Sequence, residues 1–172
     1  MARQHHYSTV VTWTGNRGIG TSGYRDYDRD HEVSTDGPAP IAGSSDPAFR
    51  GDKTRWNPET LLLVALSQCH MLGYLHACAD AGVIVTGYVD RADAVMTEDA
   101  GTGHFTEALL RPEVTVASPD MIEKANRLHD VAHRNCFIAN SVNFPVRHEP
   151  SVTVADADLT EIGDLVGPGQ PT

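Results

Sequence analysis

The sequence predicts an α+β fold, and three observations carry the prediction. Period-two alternation opens the chain, one long apolar helix occupies its middle, and further strands and a shorter helix follow, in the order β-β-β-α-β-β-α-β. The 172 residues, 40% of them hydrophobic, are one domain's worth of chain and enough to bury a core without disulfides or metals.

Tyr7, Thr9, Val11 and Trp13 lie on one face of an extended segment, with Ser8, Val10 and Thr12 on the other. Gly15-Asn16-Arg17-Gly18 reads as a hairpin turn leading into weaker strands over 19–26 and 31–34. Residues 37–52 form a loop rich in Gly, Pro, Ser and Asp that runs into the mixed-charge stretch 50–55; loops of this length are usually functional or mobile. The clearest helix comes next. Asn57 is a good N-cap, Pro58 suits the first helical position, and Glu59 complements the positive end of the helix dipole. Gly73 is the only Gly or Pro between 61 and 81, and Gly82 closes the helix. Apolar residues at 61–66, 69, 71, 72, 74, 75, 77 and 78 cover nearly all sides, which predicts a buried central helix.

Residues 83–97 and 104–117 are β-rich runs joined by a hairpin over 99–103. Ser118-Pro119-Asp120 opens a second helix, with Met121, Ala125, Leu128 and Ala132 at helical spacing and an end near Asn135. A short turn follows at 136–140. The last strand, within 141–154, is interrupted by Pro145 and Pro150 and is therefore short or at an edge. Residues 1–155 are read as a single domain; 156–172, with four acids and no base, are read as an acidic, mobile tail.

Composition narrows the partners. Thirteen basic against 23 acidic residues give a net charge of −10, which repels phosphate backbones, so nucleic-acid binding is not expected. The longest uninterrupted apolar run, 61–66, is far shorter than the roughly 20 residues of a membrane span. The N-terminus lacks the apolar stretch of a secretory signal, and three cysteines argue against a disulfide scaffold; a reducing, cytoplasmic setting is expected.

The residues able to carry chemistry are few. Cys69 lies in mid-helix, where a thiol either packs as a small apolar group or serves as a reactive centre. Cys78, nine residues on, points the opposite way and is read as packing. Cys136 follows Arg134-Asn135 and precedes an apolar run, which predicts a helix N-terminus, where the dipole and a nearby cation favour the thiolate. His129, His133 and Cys136 have zinc-compatible spacing, with His70 or Cys69 available as a further ligand; the alternative is a polar helix face. Glu59 stands ten residues before Cys69, roughly 15 Å along a helix, so a site using both needs the carboxylate of a second copy of the chain.

Asn57-Pro58-Glu59, Cys69 ten positions after the Glu, and a second Cys 67 positions later resemble the OsmC/Ohr family of thiol-dependent hydroperoxide reductases. The resemblance spans about 7–154. It implies an intertwined homodimer with antiparallel sheets around two long central cysteine-bearing helices. It also implies a thiol-dependent peroxidase that reduces organic hydroperoxides. Cys69 would be peroxidatic and Cys136 resolving, with Glu59 orienting an activating arginine. Arg50 is the favoured arginine and Arg55 the other candidate. No cofactor is implied beyond an external dithiol reductant, with a lipoylated protein as one candidate. Ala48 precedes Phe49 where one branch carries Arg, and Phe137 follows Cys136 where Pro is frequent; both imply a divergent branch.

Overall fold

In the computed structural model, which describes residues 3–155, the opening alternation becomes strand β1 (Val10–Trp13). Its partner is not the next segment. Residues 19–26 form turns, and β1 pairs antiparallel with β2 (His31–Ser34), which pairs with β3 (Ile41–Gly43). Side-chain and turn chemistry explain this correction. Asn16 Oδ1 accepts from the backbone of Gly18 (2.8 Å) and Gly20 (3.0 Å), both of which have positive φ. The Arg29 guanidinium sits 4.3 Å and 4.1 Å from the ring centroids of Tyr24 and Tyr27. Arg17 Nε donates to Asp28 at 2.9 Å. These contacts close a wide loop where a tight hairpin was expected. The 37–52 segment holds β3 and a 3₁₀ turn, Pro47–Phe49, capped by Asp46.

Helix α1 (Pro58–Asp80) begins as expected: Asn57 Oδ1 accepts from the Thr60 N–H at 2.7 Å, and Gly82 ends the helical stretch with φ 73°. The chain divides within α1 into two compact units, residues 1–64 and 65–172. The first holds the β1-β2-β3 sheet. The second holds two three-stranded sheets and a second helix. β4 (Val85–Asp90), β7 (Pro112–Val116) and β9 (Ser151–Val154) form one sheet. β5 (Asp93–Asp99), β6 (Thr102–Leu110) and β8 (Val146–His148) form the other. The expected 83–97 run is thus two strands in different sheets. The Asp90 carboxylate marks the break, accepting from Ser67 Oγ (2.5 Å) and the Arg111 N–H (2.7 Å). β5 and β6 are joined by the two-residue turn Ala100-Gly101, both at positive φ, as a primed hairpin turn requires. β8 and β9 pair parallel with β6 and β7.

Helix α2 (Ile122–Asn135) follows a 3₁₀ turn at Pro119–Met121. The core of the second unit gathers Tyr74, Cys78, Val83, Val114, Val116, Ala125 and Ala132. Cys78 is packing, as its helical phase predicts. Within one chain α1 buries one stripe and not all of its sides. Its fully buried residues within the chain are Leu66, His70, Tyr74 and Cys78, one stripe at i, i+4 spacing, while Leu72 is 62% exposed. An apolar sequence sets what a helix can bury, and one chain covers only one face of this one. At 23 residues, with an 18-residue window of mean hydropathy 1.4, α1 also meets the length and composition of a membrane span. The expected tail, 156–172, lies outside the described residues.

Candidate active site

The site residues of the second unit come from two helices. On α1, positions 69, 72, 73, 76 and 77 repeat at helical spacing beside the buried 66/70/74/78 stripe, so Cys69 faces a groove while His70 faces the core. The groove, of about 940 Å³, runs between α1 and α2; Leu72, Ala77, Leu128 and Val131 make it apolar, and Arg134 adds a cation. Cys69 is half-buried at its wall.

Cys136 caps the C-terminal end of α2, its N–H donating to the His133 carbonyl at 3.2 Å. The chain then turns through a 3₁₀ segment, Ala139–Ser141, which anchors the thiol: the Ala139 N–H donates to Cys136 Sγ at 3.4 Å. The two cysteines, 67 positions apart in sequence, are brought close enough for each to influence the ionisation of the other. The expected environment of Cys136 is corrected. It sits at the negative end of α2, is 3% exposed, and burial, with Cys69 nearby adding to it, pushes its thiol up to about 11. Cys136 is therefore a protonated thiol at neutral pH.

Arg50 and Glu59 belong to the first unit. Arg50 closes the 3₁₀ turn in the left-handed region, φ 67° and ψ 26°, an uncommon conformation for a non-glycine residue. Its side chain is exposed and makes no ion pair among the described residues. Gly51 is required beside it, because a Cβ there would fall 1.5 Å from the Ser45 carbonyl oxygen. Arg55 is already engaged, pairing with Asp30 (3.2 Å) and Asp52 (3.8 Å). Glu59 Oε2 is buried and, among the described residues, has no hydrogen-bond partner.

The zinc-compatible spacing of His129, His133 and Cys136 does not become a shared site among the described residues. His129 turns away from a shared site with Cys136 and meets His70, Nε2 of His70 lying 3.0 Å from Nδ1 of His129. Among the described residues, no group of three or more His, Cys, Asp or Glu side chains is disposed to hold a metal ion. The rings form a cluster instead. His70, His129, His133 and His148 have neighbouring centroids 5.1–6.2 Å apart, and Tyr74 stacks on His129 at 3.8 Å. His148, from β8, is the member that sequence reasoning missed: no periodicity in its short, proline-flanked strand points toward α1 and α2. Burial, with neighbouring imidazoles adding to it, pushes His70 down to about 4 and His129 down to about 3, so both are neutral at physiological pH.

A two-layer α+β unit with a thiol pair between its helices defines a cysteine-bearing class of protein, and comparison supplies the family. The OsmC-like protein family model matches residues 51–151, and the chain belongs to the OsmC family. An OsmC-like protein of unknown function from Vibrio cholerae is similar in structure, with TM-score 0.78 and 30% identity over 86% of this chain and 100% of that one. An organic hydroperoxide resistance protein from Elizabethkingia anophelis shares the fold at TM-score 0.64 and 17% identity, covering 90% of this chain and 100% of its own. So does one from Legionella pneumophila, at TM-score 0.59 and 18% identity, covering 88% and 100%. No curated protein matches the chain in sequence.

Proposed function

We propose that the protein is a thiol-dependent peroxidase that reduces organic hydroperoxides. The observation that carries this reading is the nearness of Cys69, at the wall of an apolar groove, to the buried Cys136. In the first step the Cys69 thiolate attacks the distal peroxide oxygen; the O–O bond breaks, the sulfur becomes a sulfenic acid, and the alkoxide takes a proton and leaves as alcohol. In the second, Cys136 displaces the sulfenic oxygen, which leaves as water with the Cys136 proton, and a Cys69–Cys136 disulfide forms. An external dithiol, of which a lipoylated protein is one example, then reduces the disulfide. The apolar groove wall favours alkyl or fatty-acid peroxides over hydrogen peroxide.

A desolvated thiol needs a cation to ionise at neutral pH. Arg50 is the cation we assign, following the family resemblance; of the two candidates it offers, Arg50 makes no ion pair among the described residues, whereas Arg55 is engaged. Glu59, with its orphaned buried oxygen, orients the guanidinium. Because Glu59 stands ten helical residues from Cys69, the carboxylate serving one thiol comes from the partner copy of an intertwined homodimer. The uncovered face of α1 supports that reading over a membrane span: Ser67, Gln68, His70 and His76 interrupt it, and polar side chains in mid-span are costly in lipid. Neither the fold nor the net charge of −10 favours nucleic acid, and a reducing cytoplasm suits free thiols.

The test is a thiol titration before and after one equivalent of cumene hydroperoxide. Wild type is expected to lose two thiols per chain with a Cys69–Cys136 disulfide. Cys69→Ser is expected to abolish peroxide consumption, and Cys136→Ser to stop after one oxidation. Normal turnover by Cys69→Ser overturns the reading.

A further inference from the structure

We propose that the His70–His129 pair is the positioning device of the two thiols, a neutral, buried N–H···N link that locks the C-terminal turns of α2 onto α1 and so holds Cys136 against Cys69. The proposal uses the peroxidase reading to say what the lock is for; the lock itself does not depend on it.

Sequence places one histidine beside each cysteine. His70 directly follows Cys69 on α1, and His129 precedes Cys136 by seven residues, two turns of α2. The structure joins them across the helices at 3.0 Å. Their rings are 7° from coplanar with centroids 5.3 Å apart, so the contact runs edge to edge in a common plane, as a directed hydrogen bond does. α2 also packs through Ala125, Ala132 and the half-buried Ile122 and Leu128, contacts that are non-directional. Of its fully buried side chains, Ala125, His129 and Ala132, only His129 carries a hydrogen-bonding group. Cys136 in turn follows the last turn of α2, through its bond to the His133 carbonyl and its links to Ala139 and Asn140.

The pair is also an expensive way merely to fill space. His70 is 1% exposed and His129 0%, and among the described residues His70 Nδ1 and His129 Nε2 have no partner. Whichever ring donates across the 3.0 Å contact, one of the two outer nitrogens carries a buried proton with no acceptor. Two apolar side chains of similar size would avoid that cost. A directional link retained at such a cost fits alignment better than bulk.

The surroundings make the lock acid-sensitive. Tyr74 faces His129 from α1; Asp130, His133 and Arg134 lie on α2; and His148 approaches from β8, itself bonded to Asp130 at 3.2 Å. A proton added to the pair puts a charge in an apolar site beside two further imidazoles, and the closed arrangement resists it. Acid therefore favours the open arrangement, in which the rings reach water.

The test measures the effective concentration of the thiol pair in the full-length protein, by equilibrating it with a glutathione redox buffer in the absence of peroxide. His129→Ala is expected to lower it roughly tenfold or more, and His129→Gln, which retains a hydrogen-bonding group, to recover most of the loss. In a parallel single turnover with cumene hydroperoxide, His129→Ala is expected to consume peroxide at the wild-type rate while closing its disulfide roughly tenfold more slowly, so that sulfenic acid accumulates for trapping by dimedone. If His129→Ala does not fold, the wild-type pH series decides: an effective concentration that falls between pH 7 and 5 supports the lock, and a level one overturns it. Unchanged closure in a folded His129→Ala also overturns it. Loss of effective concentration in a protein that consumes no peroxide overturns the peroxidase reading alone.

Discussion

Arg50 adopts φ 67° without being a glycine, next to a Gly51 whose Cβ position is filled by the Ser45 carbonyl. The left-handed region costs an ordinary L-residue about 1 kcal/mol or more. Arg50→Gly is therefore expected to raise stability to urea by about 0.5–1 kcal/mol while lowering peroxide turnover roughly tenfold or more. A gain in stability at full activity would show that the strain serves only the turn and would transfer the cationic role to Arg55. At this scale the sequence was legible where spacing carries chemistry. Glu59 and Cys69 each have an ordinary structural explanation, a helix-dipole complement and a packed thiol, and only their spacing together with Cys136 carries the family resemblance. The ionisation of Cys136 was not legible, because it depends on which end of which helix meets the thiol. That end proved to be the C-terminus of α2, where both dipole and burial oppose the thiolate.

The packing of α1, α2 and β8 sets how the second unit responds to acid. His70 and His129 titrate well below the ordinary histidine value of 6.5, at about 4 and about 3. The unfolded chain takes up these protons as the pH falls through about 6.5, whereas the folded chain does not until its own lower values are reached. Stability is thus complete above about pH 6.5 and is lost progressively as the pH falls through the window down to about 4 and 3. Each pH unit across it weighs about 1.4 kcal/mol per histidine, so a total loss of several kcal/mol is expected. Urea midpoints at pH 7.5, 6 and 5 read the loss, and His129→Leu is expected to flatten the dependence; parallel curves for the two proteins would refute the assignment. Among the elements, α1 and α2 were readable because caps, glycine stops and 3.6-residue periodicity agree. The 19–26 strand was misread because Asn16, Arg17 and Arg29 form side-chain contacts that outcompete a weak alternation. The 83–97 run was misread because nothing in its β-rich composition marks the change of sheet at Asp90.

For the whole molecule, the uncovered apolar side of α1 predicts assembly. Wild type is expected to sediment at twice the 18.6 kDa chain mass, and Leu72→Asp, which places a charge on a residue 62% exposed in the single chain, to halve that mass or to unfold the protein by exposing the interface. A wild-type monomer at micromolar concentration would refute the dimer and with it the shared Glu59–Cys69 arrangement. The expectation of a second copy follows from the length of the ten helical residues between Glu59 and Cys69. The order of the strands carries a consequence of another kind, concerning the chain as it is synthesised. Among the described residues β8 and β9 are the last strands made, yet they pair parallel with β6 and β7, translated some forty residues earlier. His148 arrives with β8 and joins the imidazoles around His70 and His129. A chain ending before residue 146 thus holds Cys69 and Cys136 but lacks this wall of the histidine cluster, so the cluster is completed only after the helices that carry it have been made.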